Sequence, residues 1–240
     1  MPKIEDYITR HQTLHKNVFN NVGNVPSLLC DLLNQIAEHW QHRVMKMFPQ
    51  FVCHDVVIYG DFAGYLYNAH SEMSLGIVRD VAPGEINFLD EINRILVVDE
   101  LKYTFLGHPV HCRFLAFIPP QLSCYSLTQK KWINYPQIKD VDIALFKKNY
   151  TKYKNKIVTY IKNLEKHSNN MLTIESCSNL QKYLFSLENK AQNLLVNSDE
   201  HEYNQEYLLW KTYKDTQMLQ KNYDYLINSY DYNYNMELIK

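Results

Sequence analysis

Two short stretches hold the residue types that could do chemistry. Ser71-Glu72-Met73-Ser74-Leu75 opens an apolar run, and side chains at i and i+2 of a strand project from one face, so Glu72 and Ser74 would stand side by side. Magnesium prefers carboxylate oxygens, and a pair of carboxylates so spaced would reach it together. Here one is present, as Glu72, and the hydroxyl of Ser74 takes the other place. Gly60-Asp61 closes the preceding apolar run, with Gly60 suited to shaping a tight turn and Asp61 able to supply a second carboxylate. His70, Glu72 and His111 could converge if the strands that carry them are neighbours, giving a mixed nitrogen and oxygen set better suited to Zn²⁺ than to Mg²⁺. Satisfied polar residues are the commoner outcome for such a trio. His11 with His15 and His39 with His42 each lie about one helical turn apart, and two histidines without a third ligand usually belong to a surface or an interface. The Ser, Cys and His residues form no nucleophile elbow and no catalytic-cysteine signature, so hydrolase chemistry gains little support.

The elements that would position these residues can be read from periodicity. From Pro26 onward Leu28, Leu29, Leu32, Leu33, Ile36, Ala37, Trp40 and Val44 recur at three- and four-residue spacing, which predicts an amphipathic helix. It should stop near Met47, because the residue before Pro49 is driven out of the helical region. Residues 51–59 read as a buried strand and 73–79 as a second, with Pro83-Gly84 breaking the chain before a short helix over 86–96. Residues 101–106, 110–118 and 122–127 supply three more strands, the first two joined by a tight turn at Gly107-His108-Pro109. After Pro136 the pattern is helical without strands. The expected fold class is therefore α+β, a mixed sheet with an N-terminal helix over residues 1–136 and a helical domain over 137–240.

At 240 residues the chain can bury one large core or two small ones. Its net charge of −1 gives no global attraction to nucleic acid or anionic lipid. No apolar run approaches the roughly 20 residues that cross a bilayer, and Met1-Pro2-Lys3-Ile4-Glu5-Asp6 lacks the apolar core of a signal peptide. No membrane contact and a cytoplasmic location are expected. The five cysteines are odd in number and scattered, without a Cys-x-x-Cys pair, which predicts free thiols. Six glycines against nineteen tyrosines suggest an AT-rich genome such as that of a phage or a low-GC bacterium.

Lys147, Lys148, Lys152, Lys154, Lys156, Lys162 and Lys166 surround an apolar helical pattern, with Tyr150, Tyr153 and Tyr160 available for stacking. Such a series could line a groove for nucleic acid, although a solvated helix face is the plainer explanation. The Tyr/Asn-rich stretch over 223–235 is compositionally biased.

Apolar strand, Gly-containing turn, short helical segment and second apolar strand, in that order from Val56 to Val78, resemble the core of the nucleotidyltransferase superfamily, the polymerase-beta-like fold. In that family Gly-Ser ends the first strand and Ser-Asp-x-Asp-Leu lies on the next, against Ser71-Glu72-Met73-Ser74-Leu75 here. A third family carboxylate, on a later strand, aligns with His111 in Gly107-His108-Pro109-Val110-His111-Cys112-Arg113-Phe114. The segment from Asp99 to Pro136, with Tyr125-Ser126-Leu127 and Trp132-Ile133-Asn134-Tyr135-Pro136, is similar to phage and bacterial nucleotidyltransferase-like proteins. So, more loosely, is His201-Glu202-Tyr203-Asn204-Gln205-Glu206-Tyr207-Leu208-Leu209-Trp210-Lys211. Gly60, Ser71 and Ser74 would be the nucleotide-binding positions under this resemblance.

Activity in that family needs two Mg²⁺ ions, one activating the attacking hydroxyl and one holding the triphosphate. With one carboxylate lengthened to Glu72, one replaced by Ser74 and one by His111, the resemblance implies a scaffold without its metal ligands. Asp61 stands where the family has a Ser, and its charge would repel a triphosphate at that turn. The expectation is a catalytically degenerate nucleotidyltransferase-like protein with no cofactor, retained for binding or assembly to a protein partner, plausibly in a phage and located in host cytoplasm or virion. The rival is an active Mg²⁺-dependent enzyme modifying RNA, protein or a small acceptor, in which Glu72 ligates the metal with help from Asp61.

Overall fold

The structure, a computed structural model, describes residues 4–49, 51–80, 88–89, 91–93, 103–120, 122–166, 179, 182–187, 189–191, 193–194 and 203–215. The chain divides into two compact units, one of Asp6–Lys139 and one of Met1–Glu5 with Asp140–Lys240.

The first unit is a six-stranded mixed sheet with a long helix packed on one face. Helix α1 (Ser27–Met47) is followed by strands β1 (Asp55–Tyr59), β2 (Met73–Val78), β3 (Thr104–Phe105), β4 (His108–Leu115), β5 (Cys124–Ser126) and β6 (Lys131–Asn134). Their order across the sheet is β3-β4-β2-β1-β5-β6. β2 and β4 run parallel, with Met73 beside Val110 and Ser74 beside His111, while β1 is antiparallel to both β2 and β5. An α+β fold with a mixed sheet is thus what the chain adopts.

Helix α1 buries Cys30, Leu33, Ile36, Ala37, Trp40 and Val44. They meet Ile58, Met73, Leu75, Ile77, Val110, Phe114 and Tyr125 from the sheet. The spacing 30, 33, 37, 40, 44 is the a/d-like stripe of one helix face. Leu28 and Leu32, expected on that face, lie outside it and are 84% and 48% exposed. The helix ends where Phe48 turns extended, φ −135°, ahead of Pro49.

Residues 51–54 lie outside the strand, although His54 N donates to Val78 O at 3.0 Å, so the first strand is shorter than its apolar run. β3 and β4 are joined through Leu106 and Gly107, at φ 52° and 85°. Phe105 pairs with His108 across this two-residue loop, whose two positive φ angles match the right-handed twist of the flanking strands. The turn therefore sits one residue earlier than Gly107-His108-Pro109, and His108 and Pro109 belong to the strand. β6 was not expected. The helix expected over 86–96 is described only at 88–89 and 91–93, which are helical. Leu101, Cys177, Glu202 and the Tyr/Asn-rich stretch lie outside the described residues.

In the second unit helix α2 (Ile143–Lys166) starts at an Asp142 cap, whose Oδ1 accepts from Leu145 N at 2.9 Å. Helix α3 (Gln205–Asp215) is capped in the same manner by Asn204, which accepts from Glu206 N at 3.0 Å. Tyr213 crosses between them, stacked on Tyr150 at 5.2 Å and donating its hydroxyl to Tyr150 O at 3.1 Å. Tyr150 therefore faces its own unit and is no outward stacking platform. Helical residues of 182–194 add Leu184, Leu187 and Ala191 to the buried set. Among the described residues no helix is long and apolar enough to cross a membrane. Cys30, Cys53, Cys112 and Cys124 are free thiols.

Candidate functional site

The residues singled out in the sequence gather at one end of the central three strands. Antiparallel pairing sets Tyr59, the last residue of β1, beside Ser74, and parallel pairing sets Ser74 beside His111. Because Ile58, Met73, Leu75, Val110 and Cys112 face α1, alternation places Tyr59, Ser74 and His111 on the opposite face. Glu72, two residues before Ser74 and half-buried, extends that row.

Gly60 follows β1 directly and opens a 3₁₀ turn, Gly60–Ala63. Its φ of +71° is the left-handed region, where a side chain is strained. Space is not the constraint, since a Cβ there would meet only Ser74 Oγ, at 3.9 Å. This turn aims Asp61 at Ser71, whose hydroxyl donates to Asp61 Oδ2 at 2.7 Å. Ser71 is fully buried, and its oxygen also accepts from Asn68 N at 3.0 Å. Asn68 Oδ1 accepts from His70 N at 2.7 Å, closing a turn over 68–70. Ser71, expected as a nucleotide contact, is thus engaged within the protein and fixes the Asp61 carboxylate to the start of β2.

His108 supplies a second tie to the same residue. Its Nδ1 lies 2.9 Å from Ser71 O, and a carbonyl only accepts, so the proton sits on Nδ1. Around it stands an aromatic cluster that the sequence did not disclose. His15 lies 4.9 Å from Phe62, 4.8 Å from Tyr67 and 6.1 Å from His108, centroid to centroid. His11 stacks on Tyr67 at 3.9 Å, and its Nε2 donates to Tyr67 O at 2.8 Å. The segment carrying His11 and His15 is not helical, so their four-residue spacing is not a helical pair. Burial lowers the pKa of His15 below 6.5, and the neighbouring His108, His11 and Lys16 lower it further. Its buried Nδ1 finds no hydrogen-bond partner among the described residues.

His70, Glu72 and His111 do not form a compact trio. His70 is exposed and stacks on Tyr7 at 5.2 Å. Among the described residues no group of three or more His, Cys, Asp or Glu side chains is placed to hold a metal ion. His39 and His42 are exposed on α1. Glu72 and Asp61 are the carboxylates at this end of the strands, and Asp61 is held by Ser71. Burial pushes the Tyr59 phenol above 10, with the Arg113 guanidinium opposing and Glu72 adding slightly, so Tyr59 is a neutral wall of the site. The thiols of Cys112 and Cys124 are pushed up to about 12 by burial and are not nucleophiles at neutral pH.

No protein-family model, curated protein or solved structure matches this chain. By the same alternation Ser71 and His108, and with them Asp61, stand on the α1 side, while Glu72, Ser74 and His111 stand on the other face. Among the described residues neither set forms a group placed to hold a metal ion.

Proposed function

We propose that this chain is a nucleotidyltransferase-like protein whose metal site has degenerated and which is retained as a binding or assembly component, in keeping with a phage origin. What supports this reading is a single register. Ser74 and His111, which align with two family carboxylates, are paired neighbours across β2 and β4, and the left-handed Gly60 turn opens toward Ser74. Positions that would converge on metal are adjacent, yet hydroxyl and imidazole occupy two of them. The tyrosine-rich sequence of the helical half would offer contact to a protein partner, because Tyr gives large contact area with a polar tip.

The test is titration calorimetry with Mg²⁺ and each nucleoside triphosphate, then incubation with labelled ATP. No saturable Mg²⁺-dependent binding and no transfer are expected. Transfer abolished by Glu72→Ala would overturn the proposal in favour of an active enzyme. A gain-of-ligand variant tests the scaffold separately. Ser74→Asp with His111→Asp should create saturable Mg²⁺ affinity beside Glu72 and, without metal, lower stability through carboxylate repulsion. Unchanged Mg²⁺ affinity in a folded double variant would mean that these positions do not converge.

A further inference from the structure

Helix α2 is densely basic, with its one carboxylate, Glu165, in the last turn. Residues 143–164 hold six lysines and no carboxylate. Lys148, Lys152 and Lys156 are exposed and spaced by four, so they form one ridge with successive charges about 6 Å apart along the axis. Like charges at this spacing destabilise a helix, and no acid stands at i±3 or i±4 of any of the three. An ordinary solvated helix face usually interleaves both signs along such rows.

The ridge leads into a cavity of about 170 Å³ in the same unit, lined by Tyr153, Lys156, Tyr183, Leu187, Lys190 and Glu206 among others. A cavity of about 150 Å³ holds a benzene ring, so this one has room for one planar ring. Tyr153 and Tyr183 are nearly parallel, 20° apart with centroids at 6.5 Å. Lys156 Nζ lies 4.3 Å from the centre of the Tyr183 ring, which places the last charge of the ridge at the cavity wall. Lys190 is balanced by Glu206 at 2.9 Å, so among the described residues the positive charge left at this place belongs to the ridge. Lysines track a phosphate backbone, while aromatic walls take unpaired bases whatever their sequence.

We propose that helix α2 and this cavity bind single-stranded nucleic acid, with phosphates along Lys148, Lys152 and Lys156 and one base against Tyr153 and Tyr183. A duplex would satisfy the ridge but could offer no base to the cavity. This inference lies in the second unit and is independent of the proposal for the strand end of the first.

Fluorescence anisotropy of the full chain with labelled oligothymidine and oligouridine, across a salt series, tests it. Three neutralised phosphates predict a slope of log Kobs on log salt of about −2, and each single Lys→Gln change on the ridge should reduce it by about 0.7. Tyr183→Leu should weaken binding roughly five- to a hundredfold at constant slope, the range of one stacked base. Tyr183→Phe should keep the affinity and so separate stacking from folding, with helix content followed by circular dichroism. Inorganic polyphosphate should compete but be indifferent to Tyr183→Leu. No oligonucleotide binding at low salt would overturn the proposal. So would equal affinity for a duplex with Tyr183→Leu silent, or binding confined to anionic vesicles.

Discussion

At the scale of single residues the site is held by polar groups that serve one another. Asp61, Ser71, Asn68 and His108 form a chain of short hydrogen bonds, and an unmet buried polar group would be destabilising by about 1–3 kcal/mol. His15 is the exception, with its buried Nδ1 lacking a partner, and a pH dependence follows. Its pKa is lowered in the folded state, first by burial and then by His108, His11 and Lys16. Above the unfolded value of 6.5 both states hold it neutral and its contribution is constant. Below that value the unfolded chain takes up the proton first, so stability falls as pH drops through the folded pKa and levels off beneath it. His15→Phe keeps a ring against Phe62 and Tyr67 but cannot titrate. Urea midpoints at about pH 7.5 and about pH 5.5 should differ less for the variant than for the wild type, these values straddling the ordinary histidine pKa. An equal drop in both would show that His15 does not carry the effect. None of this cluster was legible from sequence, because residues 11–15, 62–67 and 108 meet only through the fold. By contrast, Gly60, Glu72 and Ser74 stood out because their neighbours form regular apolar strands.

At the scale of elements, the middle strand of the sheet is the most tightly constrained. Gly76 sits between Val57 and Arg113 in the ladders, and a Cβ there would come within 2.8 Å of Val57 Cγ2 and nearer still to Leu115 Cδ1. The glycine is needed here because neighbouring side chains close over it. Gly76→Ala should destabilise by about 1–3 kcal/mol, the usual result of inserting a carbon into a packed interior. Chemical unfolding with an unchanged m-value would check it, and a shift below about 0.5 kcal/mol would show that Leu115 swings aside. The apolar runs around β1, β2 and β4 made those strands readable. β6 was missed because Lys131-Trp132-Ile133-Asn134 has one residue inside, one out, and no apolar run. What secures it is long-range, namely Trp132 stacked on Phe19 at 5.0 Å with its indole N–H donating to Gly23 O at 2.8 Å. The face of α1 was misjudged at Leu28 and Leu32 for a similar reason. Hydrophobicity marks both as core, while the register of Cys30 and Leu33 turns them toward solvent.

At the scale of the whole molecule, the chain divides into two units, Asp6–Lys139 and Met1–Glu5 with Asp140–Lys240, each with its own buried residues. The first is held by strand pairing and the α1 interface, the second by helix packing around Phe146, Ile157, Leu184, Leu208 and Tyr213. A unit with its own apolar core can open on its own, and exchange of backbone amides reports each such opening separately. Gly76→Ala should therefore speed exchange in β1, β2 and β4 while leaving the amides of α2 and α3 protected. Leu208→Ala, which empties a fully buried position of α3, should do the reverse. Its expected destabilisation is about 2–5 kcal/mol, the range for removing a buried leucine side chain. Peptide-resolved hydrogen exchange on the intact chain distinguishes the outcomes. If either substitution accelerates exchange equally in strands and helices, the chain unfolds as one cooperative body. A ligand bound at the strand-end site would then stabilise the lysine helix as well, and the reverse.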